Sequence, residues 1–141
     1  MTKDEYIESL DIPGLNEHIE GCMERIKVLE NEASRYRYDR KDFIANGAGK
    51  AEALSMEEAR LIDQVNAEFA GQRSNADQRD ARLAQLKHED DVYQATLNAI
   101  ATTRMALEQY DIEIKHYGYK LQAGMQALKL KTALLRFLSE G

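Results

Sequence analysis

The chain of 141 residues contains one proline, no tryptophan and 31% charged residues, which fits one helical unit and leaves little room for a sheet-rich fold. Its formal net charge of −6 argues against a strongly basic, histone-like nucleic-acid binder, and its single cysteine, Cys22, excludes an internal disulfide. No amino-terminal apolar run reaches the length of a signal peptide or a membrane span, so the expectation is a cytoplasmic all-α protein with no membrane partner.

Asp4 to Leu10 fits a short helix, and Asp11-Ile12-Pro13-Gly14 breaks it. A second helix starts at Leu15, with Ile19, Met23, Ile26, Leu29 and Ala33 at three- and four-residue spacing. It runs through Arg35-Tyr36-Arg37-Tyr38-Asp39-Arg40-Lys41-Asp42-Phe43, and Asn46-Gly47-Ala48-Gly49 ends it, giving a first region over 1–46. Ser55 and Glu58 have capping-box spacing, so a middle helix spans 55–87 with Leu61, Ile62, Val65 and Phe69 as its apolar face. Gly71 and Ser74-Asn75 weaken it, and the polar run from Gln72 to Arg82 reads as either a solvated helix or a break. His88-Glu89-Asp90-Asp91 then caps a long final helix over 90–138, whose internal Gly118 and Gly124 mark a kink or a close approach of other backbone.

Along that helix Leu86, Tyr93, Ile100, Leu107, Ile114, Leu121, Leu128 and Leu135 recur at every seventh position. The positions three further on include Thr96, Thr103, Tyr110, Tyr117, Gly124 and Lys131, so the seam is not a simple two-stranded zipper. A helix of this length, roughly 70 Å at ~1.5 Å per residue, needs partners along its course. The expected architecture is a helical hairpin-like unit that assembles as a helical homo-oligomer, with Tyr93, Ile100, Leu107, Ile114, Leu121 and Leu128 in the contacts.

Charge is unevenly distributed. Residues 1–32 hold nine acids and three bases, and 51–91 hold ten acids and five bases. By contrast 33–50 hold two acids and five bases, and 92–141 four acids and six bases, so an anionic partner would meet those two segments first. Gly47-Ala48-Gly49-Lys50 is not a phosphate-binding loop, because Ile44 stands where the first glycine belongs and Ala51 where a magnesium-binding hydroxyl belongs. His18, His88 and His116 are far apart, no set of metal ligands forms around Cys22, and no nucleophile has a base beside it. The expectation is a non-enzyme without cofactor or metal.

The segment from Arg35 to Phe43 is the one candidate binding site. Arg35, Arg37, Arg40 and Lys41 interleave with Tyr36, Tyr38 and Phe43, which suits single-stranded nucleic acid: guanidinium groups take phosphates and rings offer stacking faces. On a continuous helix Arg37, Arg40 and Lys41 share one side. The alternative is a solvated helix end whose cations oppose the helix dipole.

Several stretches together resemble the UvsY-type recombination mediators of T4-like phages. Leu107-Glu108 followed by Gly118-Tyr119-Lys120-Leu121 is similar to the family's Leu-Glu and Gly-Phe/Tyr-x-Ile/Leu at the same separation. Asp90-Asp91-Val92 resembles the acidic start of the same helix, and the basic-aromatic stretch closing on Asn46-Gly47 resembles the family's Lys/Arg-rich helix. The likeness covers about residues 25–121; the tail after Gly118 is longer than the family's, and the spacing from Asp91 to Leu107 shorter. It implies a small helical oligomer, encoded by a phage and acting in the host cytoplasm, that binds single-stranded DNA. That oligomer would help load a RecA-like recombinase onto strands covered by single-strand-binding protein. By that likeness Arg35, Arg37, Arg40 and Lys41 match the DNA-contacting helix, whereas Tyr36 and Tyr38 follow from stacking physics alone. A structural virion component, or an assembly or secretion chaperone, is the alternative with the same heptad line.

Overall fold

The computed structural model describes every residue except Ala48, Ser74 and Gly141. It contains α1 (Lys3–Ser9), α2 (Ile12–Asp39), α3 (Glu52–Glu68), α4 (Ala76–Glu89) and α5 (Asp91–Glu140), with a single 3₁₀ turn at Lys41–Phe43. Among the described residues there is no strand, only an isolated bridge between Ala45 and Ala51. The chain divides into two compact units: Met1–Ser34 together with the chain from Gln109 onward, and Arg35–Glu108.

In the first unit α1 opens on a capping box: Thr2 Oγ1 accepts from the Glu5 N–H, and the Glu5 carboxylate accepts from the Thr2 N–H, each at 3.1 Å. The break comes at Asp11, whose φ is +48°, a conformation that aspartate tolerates better than most residues. Asp11 Oδ1 then accepts from the Gly14 N–H at 3.2 Å, and Pro13 falls in the first turn, where its missing N–H costs little. The helix therefore begins three residues before the expected Leu15: the proline that looked like a breaker is a starter. A Cβ at position 14 would meet the Asp11 carboxylate, so a side chain there would make that carboxylate swing away from its bond to the N–H of residue 14.

α2 buries or half-buries Ile12, Leu15, Ile19, Cys22, Ile26, Leu29 and Ala33, an alternation of three and four residues. Met23, expected on this face, is 56% exposed, and Cys22 takes the inward place. In the same unit α5 turns inward Tyr110, Ile114, Tyr117, Leu121, Gly124, Leu128, Lys131, Leu135 and Leu138. Three contacts fix the direction. Lys131 Nζ donates to the Leu10 carbonyl at 2.7 Å, a Cβ on Gly124 would stand 3.1 Å from Ile19 Cγ1, and the Arg25 guanidinium lies 5.9 Å from the Tyr117 ring centroid. Numbers rise along α2 as they fall along α5, so the two helices pack antiparallel with seam against seam. Gly124 is closely approached, but by the side chains of Ile19 and His18 and not by other backbone as its position suggested, and Gly118 faces open space.

In the second unit the expected middle helix over 55–87 is two helices. α3 begins at Glu52 after Ala51, with no side-chain cap, so Ser55 lies inside it and not at its start. The chain turns at 69–72, where Gly71 takes φ +74°, and α4 opens on a capping box between Asn75 and Gln78. Ser74 of that predicted break lies outside the described residues. α3 and α4 run antiparallel, tied by Arg82 to both Glu68 oxygens at 2.7 and 2.9 Å. Leu61, Val65, Leu86 and Tyr93 form the core, with Leu54, Phe69, Leu83 and Leu97 packed against it. Asp90 ends α4 and starts α5: it accepts from the Tyr93 N–H, and Arg60 donates to it at 2.9 Å. The Lys50 ammonium holds Glu58 below the usual glutamate range, as Arg82 does for Glu68 and Arg60 for Asp90. Thr103, almost fully buried, satisfies its hydroxyl by donating to the Ala99 carbonyl at 2.8 Å.

Candidate nucleic-acid interface

The basic-aromatic stretch is not one helix running to Asn46. α2 stops at Asp39, the Arg40 N–H closes the last turn on the Tyr36 carbonyl, and Lys41–Phe43 forms the 3₁₀ turn. Two carboxylates and a half-buried Phe43 explain the early stop: Asp39 and Asp42 stay solvated while Phe43 and Ile44 turn inward. Asn46 and Gly49 make the turn that follows, with Gly49 at φ +80° and its N–H donating to the Asn46 carbonyl at 2.9 Å. Ala48 of this turn lies outside the described residues. The turn closes the bridge between Ala45 and Ala51 and does not end a helix.

The consequence for the site is geometric. Arg35 and Arg37 project from the last turn of α2, while Arg40 and Lys41 sit on the bend after it, so Arg37, Arg40 and Lys41 do not share one helical side. All four are exposed. The Arg40 guanidinium lies 5.9 Å from the Tyr36 ring centroid, and Lys41 Nζ lies 5.1 Å from that of Tyr38. These are cation–π distances, and they gather charge and ring into pairs. Tyr36 is half-buried and continues the apolar spacing of α2, so the open stacking face belongs to Tyr38, which is 71% exposed.

Charge pairing separates these cations from four others in the same unit, while Arg73, Arg79 and Arg104, like them, are in no ion pair among the described residues. Lys50 and Lys87 bind Glu58, Arg60 binds Glu57 and Asp90, and Arg82 binds Glu68. Among the described residues no carboxylate pairs with Arg35, Arg37, Arg40 or Lys41. Lys50, counted in the basic segment by sequence, is withdrawn from it by its 2.7 Å bond to Glu58. That acid stands eight residues on, inside α3, and only the fold of the loop between them brings the two together.

The residues expected to mediate assembly lie on inward faces. Tyr93 is 7% exposed and belongs to the core around Leu61. Ile100 and Leu107 are half-buried, and Ile114, Leu121 and Leu128 lie on the seam that α2 meets. Among the described residues no group of three or more His, Cys, Asp or Glu side chains is placed to hold a metal. Compared with known proteins, the chain matches no family model, no curated protein and no solved structure.

Proposed function

We propose that this protein is a non-enzymatic recombination and repair accessory that binds single-stranded DNA at the end of α2 and acts as a mediator for a RecA-like recombinase. The observation that carries the reading is the cluster of Arg35, Arg37, Arg40 and Lys41, which have no carboxylate partner among the described residues, with the exposed ring of Tyr38 beside it. Cations without a carboxylate partner break no ion pair when they meet phosphate, and release of counterions from the strand drives the contact. A bend suits a flexible single strand, whose successive phosphates need not follow one line, and Tyr38 offers a base a stacking face. The recombinase and the single-strand-binding protein enter through the residue likeness over 25–121, as does a cytoplasmic place of action. Self-association belongs to the same proposal, because copies multiply a weak patch into useful avidity. It would use surfaces other than the stretch of α5 seam that α2 covers.

The test is a salt-titrated anisotropy measurement on labelled single-stranded and duplex oligonucleotides. Tighter binding to the single strand, falling steeply with salt, is expected, and the Tyr38→Ala variant should lose roughly 1–3 kcal/mol with little change of salt slope. A structural or assembly protein is the second reading, favoured by the long exposed apolar face of α5. It predicts no strand preference and no effect at Tyr38.

A further inference from the structure

The side of α5 turned away from α2 carries a second apolar stripe. Ile112, Tyr119, Leu130, Leu134 and Phe137 are 61, 70, 63, 44 and 75% exposed. At about 100° per residue they fall with Ala123 within about 40° of one line, opposite Leu121, Leu128 and Leu135 of the seam. Its charge is as distinctive as its apolarity. Between Glu113 and Glu140 there is no acid, while Lys115, Lys120, Lys129 and Arg136 lie to the two sides of the stripe and Lys131 faces the seam. Among the described residues none of these five is in an ion pair; Lys131 is tied to the Leu10 carbonyl and Lys120 lies over Tyr117. Glu17, Glu20 and Glu24 project from the far side of α2. This helix pair is therefore basic and apolar on one outer face and acidic on the other.

The occupant must be anionic, apolar and able to cover a crest. A second copy fails on each available face: another α5 stripe brings the same four cations, and the acidic side of α2 has Met23 as its large exposed hydrophobic and no stripe. A partner helix seats best in a groove between helices, whereas these residues ride the ridge of one helix. A flat surface with negative head groups above an apolar layer meets all three demands.

We propose that the outer face of α5 from Ile112 to Phe137 lies in the interface of an anionic membrane. Leu130, Leu134 and Phe137 enter the acyl boundary while Lys115, Lys120, Lys129 and Arg136 stay at the level of the phosphates. Among the described residues no helix is long and apolar enough to cross a membrane, so the attachment is along the surface. This departs from the expectation of no membrane partner, which weighed only runs of spanning length.

The chain has no tryptophan, so Phe137→Trp supplies a single reporter. Phosphatidylcholine vesicles with phosphatidylglycerol should blue-shift its emission and bind at least about tenfold tighter than phosphatidylcholine alone, less so in high salt. Adding Leu130→Ser and Leu134→Ser should cut binding at least about tenfold with helicity by circular dichroism unchanged, because both side chains point away from the seam. Replacing Lys115, Lys129 and Arg136 by glutamine should remove the preference for phosphatidylglycerol. Replacing Arg37, Arg40 and Lys41 should leave vesicle binding intact. No emission shift with either vesicle, or equal binding with and without phosphatidylglycerol, overturns the proposal. So does the same shift produced without vesicles by a single-stranded oligonucleotide or an acidic amphipathic peptide, which would assign the face to that partner.

Discussion

Gly118 and Gly124 are two glycines inside one helix, and the structure gives them opposite surroundings. A methyl group added at Gly118 meets nothing within 4 Å, whereas at Gly124 it stands 3.1 Å from Ile19 Cγ1 and 3.3 Å from His18 Cδ2. Either change to alanine removes the same excess backbone entropy from the unfolded chain, a gain of about 1 kcal/mol in a helix interior. Gly118→Ala should therefore stabilise by about that amount and raise the thermal midpoint by about 3 °C for a chain of this size. At Gly124 the contact is tighter than ordinary van der Waals packing, so Ile19 must shift and the gain is reduced or reversed. Gly124→Leu cannot be absorbed and should destabilise by about 1–3 kcal/mol through overpacking. Thermal and urea unfolding followed by circular dichroism measure all three. Equal stabilisation by Gly118→Ala and Gly124→Ala would show that α2 does not approach α5 at this point and would refute the antiparallel register built on Leu10–Lys131, Ile19–Gly124 and Arg25–Tyr117.

Two further predictions concern the helices between Arg35 and Glu108. Leu61 is 1% exposed among Val65, Leu86 and Tyr93, so Leu61→Ala should cost about 2–5 kcal/mol, read as a lower urea midpoint; a loss below about 1 kcal/mol would contradict that core. Glu58, Glu68 and Asp90 are held below their ordinary values of 4.5, 4.5 and 3.8 by Lys50, Arg82 and Arg60. Because the folded values are the lower ones, their stabilisation is complete above those ordinary values and is lost as pH falls through and below them. The thermal midpoint should be level from neutral pH to about pH 5 and decline below about pH 4. The decline should shrink in Glu68→Gln, and a midpoint rising on acidification would contradict the ion pairs.

The seam of α5 was legible because a seven-residue recurrence from Tyr93 to Leu135 reads as a long helix with an inward line; Leu86, counted at its start, belongs to α4, before the break at Asp90. The partner that covers its later part was not. Ile12, Leu15, Ile19, Cys22, Ile26 and Leu29 carry the matching alternation, but Met23 is equally apolar, and only packing decides that Cys22 points inward. Pro13 and Ser55 misled for a related reason: a proline or a hydroxyl marks a helix start only when the backbone around it supplies the cap, and here Asp11 and Ala51 hold those places. The end of α2 was placed too late because the turn residues Asn46 and Gly49 are stronger signals than Asp39, although the inward pull of Phe43 acts first. The outer stripe of α5 was hidden by the seam itself, since its sevens come in two short runs, Ile112 with Tyr119 and Ala123 with Leu130 and Phe137, offset by eleven from one another and far shorter than the line of the seam.

The most direct measurement of the functional claim is the salt dependence of single-strand affinity in two charge-matched triple variants, one with Arg37, Arg40 and Lys41 replaced by alanine and one with Lys27, Arg73 and Arg79 replaced. Both remove three exposed cations that no carboxylate pairs with among the described residues, and they change the net charge equally. Loss of three phosphate contacts on a single strand should lower the magnitude of the slope of log K against log salt by about 2 in the first variant and leave it unchanged in the second. Equal slopes and equal affinities in the two variants would contradict a binding site at the end of α2.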